Sequence, residues 1–211
     1  MLEIHHIEAD IPIEELDHFF WQNASEIVID SYWSGEKAPA GRHFRARLLW
    51  SGTALYVRFD VDQSEPLVVN EHPDVTKKTN GLWERDVCEI FIAPGPAKPE
   101  RYFEFEVAPT GEWIDLVMEV RNGERITDIH YKSEMLASAR IERDRVIAAM
   151  KIPWTAFGQV PTEADVWAGN IFRCVGTGPE RGYLAWNPTK TAKPDFHVPS
   201  AFGELLFARN G

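Results

Sequence analysis

From residue 44 onward the chain alternates apolar and polar residues with a period of two, and Gly, Pro or Asn breaks the pattern at short intervals. A period of two sends successive side chains to opposite faces of an extended strand, whereas a helix needs a period near 3.6. Sustained helical periodicity is scarce here. Residues 44–50 and 54–62 read as strands around Ser51-Gly52-Thr53, and 86–93 as a third, closed by Pro94-Gly95-Pro96. Residues 102–108 and 113–120 form a hairpin around Pro109-Thr110-Gly111, a turn with Pro and Gly where type I geometry favours them. A second hairpin runs from 137–143 to 145–152 through Arg143-Asp144-Arg145, and 166–175, 183–186 and 203–208 supply the last strands. Helix candidates are short, Ile13 to Gln22 and Ser133 to Leu136. Many short strands at such spacing predict an all-β fold, a two-sheet antiparallel β-sandwich with short peripheral helices.

No repeat, linker or composition break divides the chain, so residues 1–211 read as one domain. Residues 1–43 supply an N-terminal strand and short helix that close the sandwich, and 44–208 its core. With 44% apolar residues and eight tryptophans the core is large, and Trp21, Trp33, Trp50, Trp154 and Trp167 belong to it or to its rim. Cys88 and Cys174 each sit in an apolar strand-like run and read as reduced core residues. Lys plus Arg is 22 and Asp plus Glu is 33, a formal charge of −11 that repels phosphate backbones and anionic lipid. Neither nucleic acid nor membrane is therefore an expected partner, and no apolar run approaches the ~20 residues of a membrane span. The start, Met1-Leu2-Glu3-Ile4-His5-His6, lacks the basic and apolar regions of a signal peptide. That predicts a cytoplasmic protein, or a secreted or periplasmic one if a leader lies outside this sequence.

Strand parity predicts the faces. Cys88, Ile90 and Ile92 share one side, opposite Val87, Glu89 and Phe91; Phe103, Phe105 and Val107 oppose Tyr102, Glu104 and Glu106. In 113–120, Ile114, Leu116, Met118 and Val120 read as core, leaving Trp113, Asp115 and Glu119 outward. The outer face then mixes aromatics with carboxylates, which suits a sugar: its C–H faces lie on rings while its hydroxyls seek acceptors. Loops 64–82, 94–101 and 187–202 are long, and binding commonly sits on such loops.

Motifs of the common enzyme classes are absent: no Cys-x-x-Cys, His-Glu-x-x-His or Gly-x-Ser-x-Gly occurs. The run Gly176-Thr177-Gly178-Pro179-Glu180-Arg181-Gly182 is one residue too long for a dinucleotide loop and leads into a strand. Glu89 with Glu104 could serve as an acid–base pair for glycoside hydrolysis, and Met118 or His130 as an axial haem ligand. Asp60 and Asp62, near Glu65, are the hard-oxygen candidates for calcium.

Three segments together resemble family 9 carbohydrate-binding modules. Trp83-Glu84-Arg85-Asp86-Val87-Cys88-Glu89-Ile90-Phe91-Ile92 is similar to that family's Trp-Glu-x-Asp-x-x-Glu-Ile-Phe-Ile stretch. Ala46-Arg47-Leu48-Leu49-Trp50 with Ala54-Leu55-Tyr56-Val57 resembles its paired strands. Ala185-Trp186-Asn187-Pro188 and Phe202-Gly203-Glu204-Leu205 resemble its Ser-Trp-x-x-Pro and Phe-Gly-x-Leu elements. The resemblance covers about residues 44–207. It implies a DOMON-like β-sandwich, structural calcium, no required cofactor, and non-catalytic binding of a mono- or oligosaccharide in carbohydrate catabolism. Carried over, the family's sugar clamp becomes Trp83 and Trp186, with Glu89 accepting from hydroxyls. Where the family can place an arginine behind an aromatic, this chain has Phe105-Glu106. Glu106, the outward Trp113, and His197 with Lys193 and Asp195 in the 190–199 loop complete the expected binding set.

Overall fold

The computed structural model describes residues 1–95 and 100–209. The strands are β1 (Leu2–His6), β2 (Glu26–Ile29), β3 (Phe44–Trp50), β4 (Ala54–Asp62), β5 (Val87–Ala93), β6 (Arg101–Val107), β7 (Trp113–Arg121), β8 (Glu124–Asp128), β9 (Leu136–Ile141), β10 (Arg145–Pro153), β11 (Val166–Val175), β12 (Gly182–Ala185) and β13 (Gly203–Ala208). Helical structure among the described residues is confined to short 3-10 turns. Their order in the sheet is β8-β7-β6-β5-β11-β13-β1-β3-β4-β10-β9, with β12 on β11 and β2 on β3.

The sheet folds into two layers. One runs from β8 to β13 and the other from β3 to β9, with β1 as the seam. β1 pairs in parallel with β13 on one side (Leu2 opposite Leu205, Ile4 opposite Phe207) and with β3 on the other. The sandwich is therefore mixed, where strand spacing alone predicted an antiparallel one. A strand at the chain end has no tight hairpin to fix its direction, so the gap between β13 and β3 and the burial of Leu2 and Ile4 decide it.

Between the layers lies an apolar core of Ile90, Ile92, Phe103, Phe105, Phe59, Met150, Ile171 and their neighbours. Trp50, Trp154, Trp167, Phe157 and Phe207 meet there, mostly edge to face, at centroid distances of 4.9–6.5 Å. Cys88 and Cys174 are buried and reduced.

Each layer also buries its outer face. Over β3, β4 and β10 the N-terminal segment packs Ile7, Ile11, Ile13, Leu16 and Trp21 against Leu49, Tyr56 and Ile147. Over the other layer, Leu82, Phe196 and Ala185 cover Phe91, Tyr102, Ile114, Leu116, Met118 and Phe172.

That second cover corrects the predicted faces of β7. Register puts Ile114 opposite Glu106 and Leu116 opposite Glu104, so the apolar residues of β7 share the outer face with the carboxylates. Trp113, Asp115 and Val117 point the other way, and Asp115 is buried there against Lys78 Nζ at 2.6 Å. Apolar character reported burial correctly; it could not report which of two buried faces.

Two further expectations change. Residues 13–22 form only turns and the 3-10 turn Phe19–Asn23. Residues 133–136 form no helix: Ser133 N donates to Asp115 at 2.6 Å, and β9 begins at Leu136. The short strands β2 and β8 escaped prediction. Pro96, the end of a predicted turn, lies outside the described residues, as does part of the 94–101 loop.

Asp10 ties the N-terminal cover to the β3–β4 turn. Its carboxylate accepts from Ser51 Oγ and Thr53 Oγ1 at 2.7 Å and from Lys151 Nζ at 2.8 Å. Partial burial acts to raise its pKa, but these donors outweigh it and hold the carboxyl well below the usual range. A folded pKa below the unfolded one stabilises the fold above the unfolded value and loses that contribution as pH falls through the folded one. Asp10→Asn should therefore lower Tm by about 2–4 °C at pH 7, with the gap closing as pH drops below about 4, measured by thermal melts across pH.

Candidate functional site

The outer face of β5 and β6 carries three carboxylates. Glu89 sits opposite Glu106 in register, and Glu104 lies diagonally beyond, opposite Phe91. All three are at most 3% exposed, and one oxygen from each lies within 4.8 Å of the others. Above them opens a cleft of about 570 Å³, inside the size range of small-ligand sites. Trp83, Tyr183 and Phe196 give it aromatic walls, and Glu89 and Glu104 reach its floor.

Trp83 stands at the rim, 40% exposed. It rides on the 3-10 turn Leu82–Glu84, which starts from Gly81 at φ +78°, a left-handed conformation that suits a residue without Cβ. Arg181 clamps that turn. Its guanidinium donates to the carbonyls of Trp83 (2.7 Å), Glu84 (2.9 Å), Arg85 (2.8 Å) and Gly176 (2.8 Å). It also lies over the Tyr183 ring, 5.5 Å from its centroid. Behind the turn, the buried Asp86 accepts from Gly176 N at 2.7 Å and Val68 N at 3.2 Å.

The 187–202 loop forms the facing wall. Asn170 holds its start, donating to Asn187 O (2.8 Å) and accepting from Asn187 N (3.0 Å). Trp33 Nε1 donates to Thr191 O at 3.1 Å. Phe196 stacks on Phe172 at 4.1 Å. His197 follows, with Nδ1 3.1 Å from Tyr102 Oη and Nε2 4.0 Å from Glu104 Oε2.

Electrostatics here are set by burial. It pushes Glu89, Glu104 and Glu106 above the ordinary carboxylate range, and mutual repulsion adds to it for Glu89 and Glu106. His197 is held down to about 4 by burial and by the Arg125 charge, so its ring is neutral at pH 7. Arg125 itself reaches the cleft mouth, 3.8 Å from Asp195.

Of the predicted set, Trp83, Glu89 and His197 line the cleft, and Glu106 lies beneath it. Trp186 and Trp113 do not belong. On β12, Tyr183 and Ala185 face the site, so Leu184 and Trp186 face the inter-layer core. Trp186 packs so closely on Gly203 that a Cβ there would lie 2.8 Å from its ring. The two indoles therefore do not confront each other, and the aromatic that β12 gives the cleft is Tyr183. Trp113 points through the sheet to the other face, and its Nε1 donates to Val75 O at 3.2 Å.

Asp60 and Asp62 do not fit calcium. Asp60 pairs with Arg47 (2.8 Å) and Arg58 (3.0 Å), Asp62 with Arg45 (3.5 Å), and Glu65 with Arg42 (2.6 Å). Guanidiniums already supply the positive charge there. Glu89 and Glu104 share one floor as diagonal neighbours on β5 and β6. Met118 is sealed beneath the second cluster and His130 is exposed in a turn, so neither lines the cleft. Sequence reasoning missed Arg181, Tyr183 and Phe196; parity on β12 carried a signal for Tyr183, whereas nothing local marks a long-range arginine clamp.

Comparison with known proteins agrees with this architecture. The fold superposes on a putative carbohydrate-binding protein from Bacteroides uniformis at a TM-score of 0.74, with 20% identity over 98% of both chains. It superposes at 0.65 on a family 9 carbohydrate-binding module from Caldicellulosiruptor kristjanssonii in complex with cellotriose (15% identity, 99% of this chain, 95% of that one). The glucose complex of such a module from the same organism gives 0.66, with 15% identity over 99% and 97%. An extracellular protein of Arthroderma benhamiae is 25% identical over 176 residues, 76% of this chain and 77% of that one, and lends no support to a cytoplasmic location. The model of the carbohydrate family 9 binding domain-like family matches residues 15–209, and the chain belongs to that family.

Proposed function

We propose that the cleft binds a mono- or oligosaccharide without catalysis, outside the cytoplasm. The observation that carries this is Trp83, an indole exposed at the rim of a cleft whose floor is carboxylate. A pyranose presents apolar C–H faces and equatorial hydroxyls, and such a site offers a partner for each. Trp83 takes one ring face, with Tyr183 as the second aromatic surface, and the floor of Glu89 accepts from neighbouring hydroxyls. Arg125, Asp195 and His197 ring the mouth as further polar contacts. Membership of the carbohydrate family 9 binding domain-like family supports the reading, as do the cellotriose and glucose complexes of the structural relatives.

With so few groups buried, Kd should lie between about 1 mM and 1 µM. Calorimetric titration with glucose, cellobiose and cellotriose tests it. Trp83→Ala should weaken binding by about tenfold or more, while Trp186→Ala lowers Tm and leaves Kd within about threefold. Equal affinity of Trp83→Ala and the parent protein would refute the reading. Arg181→Ala frees the Trp83 turn, and should cost roughly 1–3 kcal/mol of stability in urea melts together with a loss of sugar affinity.

A further inference from the structure

The three carboxylates under the cleft lack a positive partner. Both oxygens of Glu106 and Oε2 of Glu104 are buried and accept no hydrogen bond from any residue outside the trio, Glu104 and Glu106 lying within hydrogen-bond reach of each other, and Glu106 is fully enclosed. Glu89 receives one weak donor, Cys174 Sγ at 3.4 Å. Among the described residues no lysine or arginine forms an ion pair with any of them; the one basic neighbour within 4.0 Å is His197. The buried Arg173 of β11 is turned away, donating to the carbonyls of Arg42 (2.6 Å) and Asp62 (2.9 Å). Elsewhere in this protein a carboxylate cluster recruits arginines, as at Asp60 and Asp62. Here one oxygen from each of three carboxylates lies within 4.8 Å of the others with no arginine or lysine paired to them.

We propose that Glu89, Glu104 and Glu106 hold a hard divalent cation such as calcium at the floor of the cleft. Oxygen ligands at 2.3–2.6 Å from Ca²⁺ stand at most about 4.6–5.2 Å apart, and one oxygen from each of the three residues lies within 4.8 Å of the others, close enough to share one such ion. The ligand set is all hard oxygen, which suits such an ion over zinc or copper. Three carboxylates from one side leave the remaining positions of a six- to eight-fold shell directed into the cleft, for water. If the cleft takes a saccharide as argued above, two neighbouring hydroxyls fill them; that last step rests on the sugar reading, and the ion does not.

The experiment is calorimetry of CaCl₂ into the full chain, stripped with chelator and dialysed at pH 7.5, with thermal melts in calcium and in chelator. One ion per chain and a Tm raised by several degrees are expected. Glu106→Gln, near-isosteric, should weaken calcium binding tenfold or more, whereas Asp62→Asn should leave it unchanged. Glu104→Gln serves as the second ligand variant should Glu106→Gln fail to fold. A parent protein with neither heat nor Tm shift overturns the proposal. So does calcium binding that survives both ligand variants, because the ion would then sit elsewhere. Repeating the glucose titration in calcium and in chelator separates the two readings: calcium binding without any sugar binding leaves the ion site standing and sinks the sugar. Sugar binding equal in both, with calcium bound, removes only the hydroxyl contact.

Discussion

A sheet buried on both faces must place its polar side chains where something nearby can satisfy them. β5, β6, β7 and β11 are in that position, with the inter-layer core on one side and a second apolar cluster on the other. Most of the strand residues there are screened from bulk water, the strand ends such as Arg101, Arg121 and Val166 apart. The covering loops part over Glu89 and Glu104. The cleft is thus a gap in a cover, and its floor is rich in carboxyl groups because the sheet beneath it places carboxylates as well as rings on its outward face. In a medium of low polarity such groups interact far more strongly than at an open surface, with protons, ions or ligand hydroxyls alike.

The two covers differ in a way that separates structure from function. Residues 7–24 seal the outer face of the β3–β4–β10 layer with aliphatic side chains and Trp21, and are tied down by Asp10. The opposite cover is built from loops that are pinned at a few points, by Asn170, Trp33 and Arg181. Each pin is a side chain donating to backbone carbonyls, so the walls keep their shape without filling the space between them. Arg181 is central because it joins both sides, holding the turn of Trp83 while lying over Tyr183.

Much of this was legible in the residues. The all-β class, ten strands within a residue or so of their bounds, the reduced cysteines and the buried Trp50, Trp154 and Trp167 followed from periodicity and composition. Glu89 and its face followed from parity on β5, and Trp83 from the motif that it opens. Trp186 and Trp113 misled for one reason: a resemblance or an alternation names a strand and a spacing, while the face is set by the register of the partner strands. A single shift of parity sends a side chain through the sheet. The order Tyr183–Leu184–Ala185–Trp186 held that information, but only pairing with β11 shows which of its two faces is the cleft.

By itself the sequence determined that these strands form, which side chains share a face, and that the chain is acidic, because those properties are local or additive. Tertiary structure alone decided which faces are inner and outer, that β1 runs parallel between β13 and β3, and that Glu89, Glu104 and Glu106 come together. Those outcomes depend on pairing between strands far apart in the chain, and on loops whose resting place is fixed by the last few hydrogen bonds to form around them.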